Sequence, residues 1–227
     1  MLKPLWFSGW TIAAVSTTIA TATQPASAAT LFTAELDGLQ VVSPDFPDGV
    51  PTDASGFATF ELNEEQTELA YFIDLDGVNL KPEQSDHTDL SDVTKIHIHV
   101  GESGSNGPHT LNIFGLPSED DADLVVDFEN VTLQGTWDDG DAINPETGEL
   151  FDPTLGGTTK QLSSFVDELF ADGLYLQVHT VEFDSPTVPG ELRGQIEAAS
   201  VPEPSAAIGI FLLAGSLFSS RLSGKKR

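Results

Sequence analysis

Apolar and polar residues alternate along this chain in short segments that are separated by Gly, Pro, Asp and Asn. In residues 57–62 and 69–75, for example, every second residue is apolar. Because successive side chains of a β-strand point to opposite faces, this alternation predicts strands that are buried on one face. About eight such segments follow one another with turn residues between them, and this arrangement predicts an all-β antiparallel sandwich.

A single short helix interrupts the predicted strands. Its apolar residues have helical spacing: Leu162, Phe165, Val166, Leu169 and Phe170. Ser163 or Ser164 is the expected N-cap and Gly173 the expected stop. Just before this helix, residues 134–160 are polar and rich in Gly, Asp and Thr, which predicts a long loop.

The N-terminal segment has the features of a secretory signal peptide. Met1–Ala28 contains one Lys near its start, an apolar stretch from Leu5 to Ala22, and the small residues Ala26-Ser27-Ala28 at its end. This order matches a signal peptide with a cleavage site of the A-x-A kind. We expect cleavage after Ala28, which leaves residues 29–200 as the folded domain.

The C-terminal segment combines a short motif, an apolar run and a basic end. Pro202, Glu203 and Pro204 precede an uncharged run from Ser205 to Ser220, and Arg and Lys dominate the last seven positions. The run is shorter than the ~20 residues that a spanning helix needs. The basic end favours the cytoplasmic side. This segment is therefore expected to hold the chain in a membrane only transiently.

Residues 201–227 resemble the PEP-CTERM sorting signal of Gram-negative bacteria and cyanobacteria. The resemblance implies recognition by an exosortase-type enzyme and cleavage near Pro202, Glu203 and Pro204. It further implies delivery to the outer surface or the extracellular matrix. A permanent tail anchor is the alternative.

The charge of the predicted domain limits its partners. Residues 29–200 contain 35 acidic and 4 basic residues, which gives a formal net charge of −31. This charge repels nucleic acid and anionic membrane surfaces. The chain has no cysteine, so it forms no disulfide and carries no lipoprotein anchor.

Four segments of the domain resemble the CHRD domain, a module named for its repeats in the extracellular antagonist chordin. They are GFATFELNEEQTELAYFIDLDGV at 56–78, KIHIHVGESGSNGPH at 95–109, ADGLYLQVHT at 171–180 and PGELRGQI at 189–196. The resemblance implies an immunoglobulin-like β-sandwich and brings no established bacterial activity. One departure is His109, because members commonly carry an aliphatic residue there.

Three histidines alternate with aliphatic residues in two predicted strands. His97 and His99 face away from Ile96 and Ile98, and His179 faces away from Val178. If the two strands are neighbours, the three imidazoles lie on one sheet face, at a spacing suited to a transition-metal ion. Zinc or copper is the expected metal. The alternative is that these histidines form structural hydrogen bonds.

The histidine pattern resembles the metal sites of copper/zinc superoxide dismutase in arrangement only. That enzyme's disulfide is impossible here, and a full second ligand set is not apparent. His109 shares the parity of Leu111 and Ile113, so we expect it to face the core and to be a poor ligand. His87 lies in a polar loop and is a poorer candidate still.

The remaining polar patterns indicate structural roles. Arg193 is expected to pair with a carboxylate in this acidic domain. Two acidic stretches lack the ligand spacing of a calcium loop and favour solvated loops. These stretches are Asp138, Asp139 and Asp141, and Glu119, Asp120, Asp121 and Asp123.

No catalytic set is recognisable in the sequence. The leading hypothesis is therefore an exported, non-enzymatic module that contacts a surface polysaccharide or a matrix protein. A zinc or copper metalloprotein, redox-active or not, and a calcium-dependent adhesion protein are the alternatives.

Overall fold

The computed structural model describes residues 29–82, 85–115, 123–144, 146–151 and 159–199. The predicted cleavage site at Ala28 and the motif residues Pro202, Glu203 and Pro204 lie outside these ranges. Within them, no helix has the length and apolar character needed to cross a membrane.

The described residues form two antiparallel sheets, which confirms the predicted β-sandwich. The strands are β1 (Thr30–Leu36), β2 (Ser55–Leu62), β3 (Glu68–Asp76), β4 (Val93–Val100), β5 (His109–Gly115), β6 (Val125–Asp127), β7 (Thr132–Asp138), β8 (Leu174–Thr180), β9 (Leu192–Gln195) and β10 (Glu197–Ala198). One sheet has the strand order β10-β1-β2-β3-β7-β6 and the other the order β5-β4-β8-β9.

The apolar faces of the two sheets enclose the main core. Phe60 and Ile73 of the six-stranded sheet are fully buried, as are Ile98 and Leu176 of the four-stranded sheet. All four belong to one continuous apolar cluster. Burying each such side chain stabilises the fold by about 1.5–3 kcal/mol. The strand parity expected from the sequence therefore places these residues correctly.

The helix is shorter than its apolar spacing suggests. A 3₁₀ turn spans Leu162–Ser164 and the α-helix α1 spans Val166–Phe170. The predicted caps are wrong: Ser163 and Ser164 lie in the 3₁₀ turn, and the N-cap residue, Phe165, makes no side-chain capping bond. Asp172, with φ of 54°, reverses the chain before Gly173.

The predicted long loop at 134–160 is also partly wrong, because β7 continues to Asp138. Leu133 and Trp137 both face the core, but Gly135 stands between them in the alternation. A side chain at Gly135 would meet the ring of Tyr71. Tyr71 thus fills the space that an apolar residue would have occupied, and its presence cannot be read from the local pattern.

Loops cover the face of the four-stranded sheet that points away from the core. The loop after β1 and the loop after β8 share a second apolar cluster, formed by Val41, Val50, Phe183 and Val188 with Phe46 beside them. Ser43 Oγ donates to Thr187 O at 2.7 Å and joins the two loops. Asn106 Nδ2 donates to Val42 O at 2.9 Å and joins the loop after β4 to them.

Candidate metal centre

The outward face of the four-stranded sheet presents polar side chains in regular rows. β4 lies between β5 and β8, as the metal hypothesis requires. His97 is paired with Asn112 on one side and Gln177 on the other. His99 is paired with His109 and Tyr175. Cross-strand partners share a face and lie about 4.5–5.5 Å apart at Cβ, so these side chains are neighbours.

A β-bulge turns His109 toward this face, contrary to the expectation from parity. Ile98 pairs with Leu111, yet the next residue, His99, pairs with His109, so Thr110 is an extra residue on β5. Thr110 Oγ1 donates to Ile98 O at 3.1 Å within the bulge. One extra residue reverses the alternation between the two sides of the bulge. The prediction that His109 faces the core is therefore wrong, and with it the reason for regarding His109 as a poor ligand.

His97, His99 and His109 form a compact group, called here the histidine cluster. Each offers one ring nitrogen, and these three nitrogens all lie within 4.8 Å of one another. The ring centroids of His97 and His109 are 3.9 Å apart, and those of His99 and His109 are 4.3 Å apart. This grouping makes the three histidines candidates for one ion, which zinc–imidazole coordination would hold at ~2.0–2.1 Å.

His179 lies on the same face as the histidine cluster but on the far side of His97. It pairs with Lys95 of β4, and its ring centroid is 5.2 Å from that of His97. Its Nδ1 is 3.3 Å from Asp184 Oδ1. The shared face of His97, His99 and His179 thus matches the sequence interpretation, but the converging nitrogens include His109 in place of His179. His87 lies apart, in the loop before β4.

The histidines are buried rather than solvent-exposed. His97, His99 and His179 are 1%, 6% and 7% exposed, whereas His109 is half-buried. Gly190 of the covering loop packs on Gln177, and a Cβ there would lie 2.6 Å from Gln177 Nε2. The face away from the core is therefore a second, polar interior, and His109 is its most accessible histidine.

Hydrogen bonds fix His99 in the tautomer that a metal requires. Its Nδ1–H donates to Gly107 O at 2.9 Å, because a carbonyl oxygen only accepts. Nε2 then carries the lone pair, and it is buried without a hydrogen-bond partner. A ligand histidine usually donates its second ring nitrogen to a backbone carbonyl or a carboxylate in this way.

Other buried polar atoms around His99 also lack hydrogen bonds. Both ring nitrogens of His97 have no partner, nor do the amide oxygen and nitrogen of Asn112, nor Gln177 Nε2. Such groups are rare in native interiors, and each costs about 1–3 kcal/mol when it is left unsatisfied. Their concentration at one place makes this polar interior the candidate binding site.

Burial keeps the central imidazoles neutral. Loss of hydration lowers the pKa of His99 to about 3, although the hydrogen bond to Gly107 acts in the opposite direction. Loss of hydration, followed by repulsion from His109, His179 and His99, holds the pKa of His97 far below its usual range. Neutral imidazole is the metal-binding form.

A stack of side chains supports His99 from behind. The Tyr175 ring lies parallel to the His99 ring, with centroids 4.9 Å apart, and the Arg193 guanidinium carbon lies 3.7 Å from the Tyr175 centroid. Arg193 Nη2 donates to Glu102 O at 3.0 Å. The predicted pairing of Arg193 with a carboxylate is wrong, because its charge is met by an aromatic face and by neutral oxygens.

The acidic residues after β7 are used for local structure. Asp139 Oδ1 accepts from Ser163 N at 2.8 Å, Asp141 Oδ2 accepts from Asp138 N at 2.7 Å, and Asp138 Oδ1 accepts from Gly140 N. These bonds close local turns, and Asp141 is 2% exposed, so the solvated-loop interpretation does not hold for its carboxylate. Asp123 accepts from Thr136 N at 3.2 Å, while Glu119, Asp120 and Asp121 lie outside the described residues.

Sequence reasoning missed His109, Asn112 and Gln177 as members of this polar interior. The signal available in the sequence was the distribution of histidine: four of the five histidines lie in the strands β4, β5 and β8. The β-bulge turns His109 toward the other histidines. It cannot be recognised from the hydrophobic pattern, because Thr110 is compatible with either face of a strand.

The described face offers three imidazole nitrogens, a hydrogen bond that fixes the tautomer of His99, and a polar surrounding that is largely buried. It can therefore hold a transition-metal ion. No curated protein shows significant similarity to this chain. The family model of the CHRD domain matches residues 32–196, a range that includes the four-stranded sheet, most of the six-stranded sheet, the histidine cluster and His179. This chain belongs to the CHRD domain family.

Proposed function

We propose that this CHRD domain binds a transition-metal ion, zinc or copper, through His97, His99 and His109. The observation that carries the proposal is the approach of three ring nitrogens to within 4.8 Å of one another in a buried setting. The bond from His99 to Gly107 O supports it, because it leaves Nε2 as the donor.

A purely structural role for the histidines accounts less well for the contacts. Histidines that only stiffen a sheet satisfy their ring nitrogens with backbone or carboxylate partners. His97, at the centre of the group, forms no hydrogen bond through either nitrogen. A bound metal would be the missing partner of one ring nitrogen of His97. Its coordination would offset part of the free-energy cost of burying that imidazole.

Metal content and thermal stability of the purified full-length chain test this proposal together. We expect one equivalent of zinc or copper after metal loading and dialysis. A metal present at 100 times its Kd stabilises the folded state by ~2.7 kcal/mol. For a domain of this size the melting temperature should then rise by roughly 5–10 °C. Unchanged melting and no retained metal would refute the site.

We further propose that the domain acts outside the inner membrane as a non-enzymatic surface or matrix module. The signal-peptide features of Met1–Ala28 and the motif at Pro202–Pro204 support export and processing by an exosortase-type enzyme. The net charge of −31 for residues 29–200 favours partners other than nucleic acid. A surface polysaccharide or a matrix protein is the proposed partner.

A further inference from the structure

The few basic residues of the domain gather around the histidine cluster. Residues 29–200 contain only four of them, Lys81, Lys95, Lys160 and Arg193. Lys160 Nζ donates to His109 O, and Lys160 N donates to Thr110 O at the bulge. Lys95 pairs across the sheet with His179, and Arg193 lies over Tyr175 behind His99. Three of the four positive charges thus lie beside the metal ligands or their neighbours.

The positive charge at this place is only partly neutralised. Lys95 forms an ion pair with Asp184 at 2.9 Å. Arg193 is 1% exposed, and its hydrogen bonds reach Glu102 O, Asn106 Oδ1 and Gln195 Oε1, all of which are neutral oxygens. A guanidinium stays protonated in a protein even when it is buried. Its charge is felt strongly in a buried setting, where water screens it little.

The ligands themselves contribute no negative charge. The histidine cluster contains three imidazoles, and the chain has no cysteine to supply a thiolate. His97 is flanked by the amides of Asn112 and Gln177, not by carboxylates. Every unit of charge on a bound metal therefore remains uncompensated by its ligands and is repelled by Arg193. This repulsion is twice as large for a divalent ion as for a monovalent one.

We propose that the histidine cluster selects copper in its monovalent state, Cu(I), over divalent zinc. This inference rests on the proposed metal-binding function. Three neutral nitrogen ligands are sufficient for Cu(I), whereas Zn²⁺ in a site with three histidines takes a fourth ligand such as water. The buried setting and the nearby guanidinium both disfavour the higher charge.

Competition titrations of the full-length chain test the selectivity directly. Under anaerobic conditions with ascorbate, the chain competes with the chromophoric chelator bicinchoninate for Cu(I), and in a parallel titration it competes with a zinc-responsive dye for Zn²⁺. We expect one Cu(I) per chain, bound at least 100-fold more tightly than Zn²⁺. Zinc binding as tight as Cu(I) binding would overturn the inference and leave the proposed metal site intact. Binding of neither metal would refute both.

Variants that change the local charge test the physical cause. Asn112→Asp places a carboxylate beside His97, so Zn²⁺ affinity should rise by at least tenfold relative to Cu(I) affinity. Asn63→Asp makes the same charge change at the turn between β2 and β3, where the side-chain oxygen already accepts from Thr67 N, and should leave the ratio unchanged. An equal response of both variants would refute a local electrostatic origin.

Removal of the cation should act in the same direction as addition of the carboxylate. Arg193→Gln lowers the positive charge behind His99 and should shift the ratio toward Zn²⁺ by roughly tenfold. Circular dichroism identifies whether this buried substitution folds, and Asn112→Asp supplies the test if it does not. A folded Arg193→Gln protein with an unchanged ratio would contradict the role assigned to the guanidinium.

Discussion

His97 is buried in the described structure without a hydrogen bond to its ring. It is 1% exposed, and neither ring nitrogen forms a hydrogen bond. A neutral imidazole in this condition destabilises the folded state by a few kcal/mol relative to one with satisfied nitrogens. In the proposed site, coordination through one nitrogen would remove part of that cost, so metal binding would be coupled to folding stability at this residue.

The ligand set is tested by single replacements with glutamine, which has similar size and no imidazole. His109→Gln removes one of the three converging nitrogens and should weaken metal binding by at least ~100-fold, the upper end of the effect of losing an outer-shell partner. His179→Gln should weaken it by less than tenfold, because His179 lies beyond His97. Isothermal titration calorimetry measures both.

His87→Gln is the control for these replacements, because His87 lies in the loop before β4. It should leave the affinity unchanged. If His179→Gln proved as damaging as His109→Gln, His179 would be a ligand as well, and a site made of His97, His99 and His109 alone would be refuted.

At the scale of single residues, the alternation of side chains along a strand, or parity, explains which side-chain directions could be predicted from the sequence. It placed His97, His99 and His179 on one face because β4 and β8 pair without a bulge between Lys95 and Val100. It failed for His109, because the bulge at Thr110 is an interaction between two strands and not a property of one. Parity also predicted the direction in which the imidazoles point. It did not predict their burial, because that burial depends on the covering loops.

At the scale of elements, one buried carboxylate fixes the segment that leads into β4. Asp92 is fully buried, and its Oδ2 accepts from Lys81 Nζ at 2.7 Å and from Thr88 N and Asp89 N at 3.0 Å each. Asn79 Nδ2 donates to Oδ1 at 3.2 Å. Four donors converge on this one side chain, so the loop has a defined path to β4 despite its polar sequence.

Asp92→Asn should therefore destabilise the fold by roughly 2–4 kcal/mol, because it removes the charge and replaces an acceptor by a donor. Asp89→Asn is the matched control. Asp89 contacts the same Lys81 at 3.4 Å, but its side chain is 69% exposed, so its loss should cost under ~1 kcal/mol. Urea unfolding at pH 7 measures both. Equal effects would show that burial of Asp92 is not the source of the stability.

The stability difference between the wild-type protein and Asp92→Asn should change with pH in a defined direction. Burial alone would raise the pKa of Asp92, but the hydrogen bonds from Lys81, Asp89 and Asn79 lower it below its usual value. A carboxyl group with a lowered pKa contributes stability above its unfolded pKa of ~3.9 and loses it as the pH falls through the folded value. The stability gap between wild type and Asp92→Asn should thus be constant from pH 8 to 5 and should shrink below about pH 4.

The elements themselves were largely predictable from the sequence. Strands such as β3 show clean alternation of buried and exposed residues, so local pattern and tertiary burial agree there. The second half of β7 was missed because Gly135 interrupts the alternation to accommodate Tyr71. The second apolar cluster was missed because its members lie in loops, where the local sequence carries no period.

At the scale of the whole molecule, the chain combines an acidic exterior with a polar interior that concentrates its positive charge. The acidic surface attracts cations in general, whereas Lys95, Lys160 and Arg193 lie near the histidine cluster and oppose a high positive charge there. The net charge of residues 29–200 favours solubility through self-repulsion. The family match spans the sandwich and leaves the two ends of the chain outside it.

Those two ends lead to the prediction about processing. The order of features at each end, an apolar stretch with Ala26-Ser27-Ala28 and a Pro202–Pro204 motif with an apolar run and a basic tail, predicts two cleavages during export. Intact mass spectrometry of the native extracellular protein should find a chain that begins at Ala29 and lacks the Lys225–Arg227 tail. Replacing Glu203 with Ala should leave the first cleavage unchanged and retain the chain in the membrane fraction, because the signal-peptide site is independent of the motif. An extracellular protein that keeps its basic tail would contradict the sorting proposal without affecting the metal site.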